Sequence, residues 1–156
     1  MEKKNESPAY TQVLNELLKI NNDRIEGYKK VLKEVNDYDL RSVLVSLVEE
    51  SKKFEVDVAL EILRHGGTPL IGSTTMAGKI YRFWIEVKET FIGKDRASIL
   101  RACEFAEEGV RSACKRALLH RDLTPGMKQL IRNQQAAFRI SYDAVNGYSN
   151  MKIVLK

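Results

Sequence analysis

Proline is scarce in this chain, three in 156 residues, and the nine glycines are scattered. Collagen-like and low-complexity architectures are therefore excluded. Scattered glycines also leave no glycine-rich phosphate loop, and Gly-x-Ser-x-Gly, the sequence of a nucleophile elbow, does not occur. No apolar run approaches the ~18 residues that a membrane span needs. Met1 to Pro8 is polar and charged, without the apolar centre of a signal peptide, so a cytoplasmic location is expected. Only two cysteines are present, Cys103 and Cys114. They fall in one predicted helix, roughly 16 Å apart at ~1.5 Å per residue, too far for a disulfide. They are expected to act as small buried apolar residues. The two histidines, His65 and His120, both fall at predicted helix ends.

Apolar residues make up 44% of the chain and charged residues 30%, the balance of one globular domain with a real core. The net charge is +5, from 26 Lys or Arg and 21 Asp or Glu. The excess is mild and reads as interleaved with acids along every helix, which argues against a nucleic-acid partner.

Apolar residues recur at helical spacing in four long stretches. The first runs from Tyr10 to Val35, with Leu14, Leu17, Leu18, Asn21, Ile25, Tyr28, Leu32 and Val35 on one stripe. The second covers Leu40 to His65, with Asp39 as expected N-cap and Gly66-Gly67 as stop signal. Its inner stripe is Leu40, Val43, Leu44, Leu47, Ser51, Phe54, Glu55 and Val58. The third runs from Arg96 to Leu119 on a face rich in small residues. The fourth runs from Pro125 to Tyr148, with Thr124 as N-cap and Met127, Leu130, Ile131, Gln134, Ala137, Phe138, Ser141 and Val145 inward. Between the second and third lies a connector too long for a simple loop. Met76, Ile80, Phe83, Trp84, Val87 and Phe91 predict a further helix inside it, from Met76 to Ile92. The expected organisation is thus a flexible N-terminus over residues 1–9, an all-α bundle over 10–148 and a C-terminal tail over 149–156.

One long crossover between the second and third helices is the connectivity of a ferritin-like four-helix bundle. In that fold, two helices each supply a Glu to a di-iron centre and the other two each supply Glu-x-x-His. The spacing puts a carboxylate and an imidazole on the same face. This chain offers no such set. Asn21 holds the middle of the first stripe, with Asp23 and Glu26 turned more than ~100° away. Ser51 and Phe54 stand in the second helix where Glu-x-x-His would fall, and Gln134 and Ala137 in the fourth. The expected centre is a neutral polar layer of Asn21, Ser51 and Gln134, which must be hydrogen-bonded internally or to water. Glu55 and Glu107, near the edges of their stripes, are the remaining candidate metal ligands.

Leu14-Asn15-Glu16-Leu17-Leu18, Ile25-Glu26-Gly27-Tyr28 and Gly66-Gly67-Thr68-Pro69 occur in this order. They are followed by Ala77-Gly78 with Trp84 and Lys88, Phe91-Ile92-Gly93-Lys94-Asp95, and Ile99-Leu100 with Cys103-Glu104. The sequence from Thr11 to Gly147 thereby resembles a bacterial ferritin-like family of unknown function, known only as four-helix-bundle proteins. The resemblance implies the fold and little about activity. A histidine common in that family's fourth helix is replaced by tyrosine here, near Ser141-Tyr142-Asp143.

The expectation is an uncharacterised ferritin-like bundle that is non-catalytic and carries no cofactor, acting as an oligomeric scaffold or binding module. The alternative is a metal-binding or redox protein with a reduced ligand set, using iron or another divalent metal. A small-molecule pocket between helices is a third class. The apolar surface of the connector, with Tyr142, Tyr148 and Ile153-Val154-Leu155, predicts a homo-oligomer, with a two-fold dimer as the default.

Overall fold

The computed structural model describes residues 8–33, 35–72 and 96–154. Among these, four helices and no strand occur: α1 Ala9–Leu32, α2 Tyr38–Arg64, α3 Arg96–Ala117 and α4 Pro125–Val154. The expected crossover helix from Met76 to Ile92 lies outside the described residues. None of the described helices is long and apolar enough to cross a membrane.

Helix ends follow local chemistry. α1 stops three residues before the predicted end, yet Val35 stays buried. Arg41 reaches back across the turn and donates to the carbonyls of Leu32 and Val35, the latter at 2.7 Å. These acceptors would otherwise be unpaired at the helix end. The cap of α2 is Asp37, not Asp39: its carboxylate accepts the Leu40 N–H at 3.0 Å. Asp39 instead sits in the first turn, where the positive end of the helix dipole favours it. α2 ends in a Schellman turn. Gly66 adopts φ +77°, the Gly66 N–H bonds Leu63 O, and the Gly67 N–H bonds Ile62 O at 3.0 Å. α4 opens as read, with the Met127 N–H on Thr124 Oγ1 at 3.1 Å. It runs on to Val154, past the predicted stop at Tyr148, because neither proline nor a turn cluster follows Gly147.

α1 packs on α2 and α3, and α4 packs on α3 and α2. Asn21 meets Ser51 and Asn15 meets Thr68, so α1 and α2 are antiparallel. Tyr28 and Arg24 meet Glu107, while His120 lies beside Ala9 and Lys19, so α1 and α3 are antiparallel as well. Gln134 on Asp57 and Ser141 on Glu50 set the same relation for α2 and α4. The helices form a square of antiparallel neighbours. The Asn15 amide receives the Leu70 N–H at 2.9 Å and donates to Thr68 O at 3.2 Å, tying the start of the α2–α3 connection to the first half of α1. Arg96 opens α3 at the opposite end, so α2 ends and α3 begins at opposite ends of the bundle.

The core is apolar and close-packed. Leu14, Leu18, Leu44, Val58, Ile62, Ile131, Phe138 and Val145 are at most 1% exposed. α3 contributes Ala102, Cys103, Ala106, Ala113 and Ala117, small side chains that let neighbouring helices come close.

Candidate functional site

Midway along the square, all four helices contribute to one buried cluster. Arg24 and Tyr28, one turn apart on α1, project toward Glu107 of α3. Arg24 Nη1 donates to Glu107 Oε2 at 2.7 Å, and the Tyr28 hydroxyl donates to Glu107 Oε1 at 2.6 Å. All three side chains are completely buried. Glu50 of α2 places Oε1 3.9 Å from Arg24 Nη2, an ion-pair distance beyond hydrogen-bond reach. Its other oxygen accepts the hydroxyl of Ser141 on α4. Phe138, also on α4, lies under the guanidinium with Arg24 Cζ 4.2 Å from its ring centroid. That contact places an electron-rich face against Arg24, whose Nε and Nη2 make no hydrogen bond.

The electrostatics follow from burial. Two charges taken from water are costly, and their mutual attraction offsets this only when the remaining polar atoms are satisfied. Both Glu107 oxygens are satisfied, one by a guanidinium and one by a phenol. Burial and then the Glu107 charge push the Tyr28 hydroxyl well above its ordinary range, keeping it a donor. Burial raises the Glu50 carboxyl as well, against the lowering effects of Ser141 and Arg24.

Cys103, one turn before Glu107, is pushed upward by burial and by the Glu107 charge, and burial pushes Cys114 up to about 12 from 9.0. Neither thiol forms a disulfide. Both are expected to be inert to a thiol reagent in the folded protein and to react fully on unfolding. Because their folded values are raised, they contribute stability that is complete below about pH 9 and is lost as pH rises toward 12. An unfolding midpoint that stays flat over that window in wild type, or falls equally when both cysteines are Ala, would remove the thiols from the account.

The residues expected at the centre are placed as follows. Asn21 and Ser51 meet, with Asn21 Nδ2 donating to Ser51 O at 2.8 Å and the Ser51 hydroxyl turned back to Leu47 O. Gln134 is buried at a different level, six residues further along α2 and roughly 9 Å away at ~1.5 Å per residue. There its amide donates to Asp57 Oδ2 at 3.2 Å. Glu107 belongs to the cluster; Glu55 is half-buried and outside it. Asp23, expected off the inner stripe, is nonetheless buried, as are Asn21, Asn22, Arg24 and Ile25 beside it. Five consecutive buried residues go right round the helix, so α1 is enclosed on every side at this level. Glu26 is exposed. The centre is charged where the sequence reading expected it neutral, and Arg24 and Glu50 are the residues that reading missed. The signal for Arg24 was its spacing, i+3 from Asn21 and i−4 from Tyr28.

The donor set does not suit a di-iron group. Among the described residues, two carboxylates, Glu50 and Glu107, converge where about four would be needed, and a permanently charged guanidinium stands between them. Among the described residues, no group of three or more His, Cys, Asp or Glu could hold a metal ion. His65 caps α2, with Nε2 3.2 Å from Glu61 Oε1 and its ring edge-on to Tyr10. His120 Nδ1 accepts the Asp122 N–H at 3.4 Å. A separate surface cleft of about 530 Å³ lies at the end of the bundle between α1, Thr68, Leu70 and His120.

Among curated proteins, none matches this chain. A family model does, described as a domain of unknown function (DUF2383), over residues 9–120. The matched region spans α1, α2 and α3 and includes Arg24, Tyr28, Glu50 and Glu107, though not Phe138 or Ser141 on α4. It covers well over half of the chain, which therefore belongs to the DUF2383 family.

Proposed function

We propose that the chain is a cytoplasmic, ferritin-like bundle that holds an internal cation in place of a resident metal. On this reading it works without catalysis, through its surface, as an oligomeric scaffold or binding module. The observation that carries the reading is the Arg24 guanidinium, wholly buried at 2.7 Å from Glu107 and facing Glu50. In ferritin-like metalloproteins, carboxylates from the bundle helices converge on ions. Here carboxylates from α2 and α3 converge on a side chain of α1. The antiparallel square, with α2 ending and α3 beginning at opposite ends, supports the ferritin-like assignment.

Support for association comes from α2. Val45, Val56, Leu60 and Leu63 share the side opposite its core stripe and are 42–56% exposed. These apolar side chains, with exposed Glu49 and Lys52 between Val45 and Val56, suit a two-fold contact between copies.

Elemental analysis of aerobically purified protein, combined with light scattering, tests both halves of the proposal. The expected results are no stoichiometric iron or zinc and a mass of twice the 17.8 kDa chain. Two iron equivalents per chain, retained after chelation and lost in a Glu107→Gln variant, would establish the metalloprotein alternative instead. A mass that remains at one chain across the micromolar range would overturn the oligomer.

A further inference from the structure

Positive charge is unevenly distributed along the chain. Residues 111–142 hold seven Lys or Arg and one Asp or Glu, a net of +6, and the remaining residues together net −1. The acids expected along every helix are nearly missing from α4, which has four Lys or Arg and one acid, Asp143. The fold gathers this charge onto the outer face of the α3–α4 hairpin. Arg111 and Lys115 lie one turn apart on a flank of α3. Lys128, Arg132 and Arg139 recur at i, i+4 and i+11 along a flank of α4, which keeps them on one side of the helix. The two flanks adjoin, because the Arg111 guanidinium lies 5.0 Å from the ring centroid of Tyr142 on α4. Arg121 extends the patch into the connecting turn, and all six side chains are exposed or half-exposed. Three acids offset part of it: Glu108 pairs with Arg111 at 3.4 Å, Asp122 is exposed beside Arg121, and exposed Asp143 lies one turn beyond Arg139.

The apolar residue at the end of this patch decides among polyanions. Leu119 is 82% exposed in the turn after α3, close in sequence to Lys115, Arg116 and Arg121. An exposed aliphatic side chain near cations has no role on a phosphate backbone, but it can enter the boundary between headgroups and acyl chains while its basic neighbours meet the headgroups. A single-stranded nucleic acid would call for free aromatic rings on which to stack. The one ring in the patch, Tyr142, is already covered by Arg111. Two adjacent helices also present a broad, shallow face, which suits a flat surface better than a duplex groove.

The geometry points to the α3–α4 hairpin as a docking face for an anionic lipid surface, with Arg111, Lys115, Lys128, Arg132 and Arg139 on the headgroups and Leu119 at the end of the face, in the turn. This does not depend on the charged centre, and a metal found there would leave it standing.

Co-sedimentation with vesicles tests it, comparing phosphatidylcholine alone with phosphatidylcholine containing about 30% phosphatidylglycerol, a bilayer bearing anionic headgroups. The full chain is expected to partition onto the anionic vesicles only, and less so as salt rises. The double variant K128E/R132E should lose roughly thirtyfold in partitioning, at about fivefold per basic side chain. The pair K29E/K33E changes net charge by the same amount at exposed positions at the end of α1 and should retain binding. Equal loss in both pairs, partitioning onto neutral vesicles alone, no partitioning at all, or tighter binding to duplex DNA than to the anionic vesicles would each overturn the proposal.

Discussion

Arg24→Met is expected to lower the unfolding free energy by about 3–5 kcal/mol, the range for removing one partner of a buried ion pair. The loss comes less from the missing bond than from what remains. Glu107 stays fully buried, its Oε2 without a partner, and the phenol of Tyr28 cannot neutralise a charge. Replacing the whole set, as R24M/Y28F/E107L, should recover most of the loss, since an apolar group of similar volume removes the desolvation cost along with the attraction. Urea unfolding at neutral pH measures both. A loss below about 1 kcal/mol in the single variant would mean that Glu107 finds water or another donor, and that the cluster is not a closed unit.

Phe138→Ala is the second large expected effect, again about 3–5 kcal/mol. Phe138 is completely buried, packs edge-on against Phe54 with centroids 5.2 Å apart at 73°, and supports the Arg24 guanidinium on its face. Truncation opens a cavity and leaves two guanidinium nitrogens facing it. The effect should not add to that of Arg24→Met. With the guanidinium gone, the ring has only its packing to lose, so the double variant should be more stable than the sum predicts by about 0.5–2 kcal/mol. Strict additivity would show that the stacking contributes nothing.

Much of the fold was legible in the sequence because helical periodicity depends on a single property, which residues avoid water. Leu14, Leu44 and Ile131 carry that signal, and the turn residues Gly66 and Thr124 place the boundaries they were read to place. Boundaries that depend on one side chain choosing between two backbone donors were harder. Asp37 and Asp39 are both competent caps, and only the path of the turn selects Asp37. The centre was less legible still. Asn21 and Ser51 were read as inward and do meet. Arg24 fits the same stripe by spacing, but an arginine is ordinarily exposed, and residue type outweighed position. Its burial becomes reasonable only once Glu107 is known to lie opposite, and that partner is 83 positions away in the chain. Gln134 shows the reverse error of scale: it faces inward as read, but at the level of Asp57, because one stripe says nothing about height along the bundle.

The Arg24–Glu107 pair also bears on how the molecule matures. A carboxylate that must wait for an ion leaves a protein with two lives, one empty and one loaded, and makes assembly depend on supply. Here the positive group arrives with the polypeptide. The Glu107 charge is balanced when α1 and α3 come together, by a group that is already part of the chain. Refolding from urea in metal-free buffer should therefore return the whole population to the native state, at a rate indifferent to added iron.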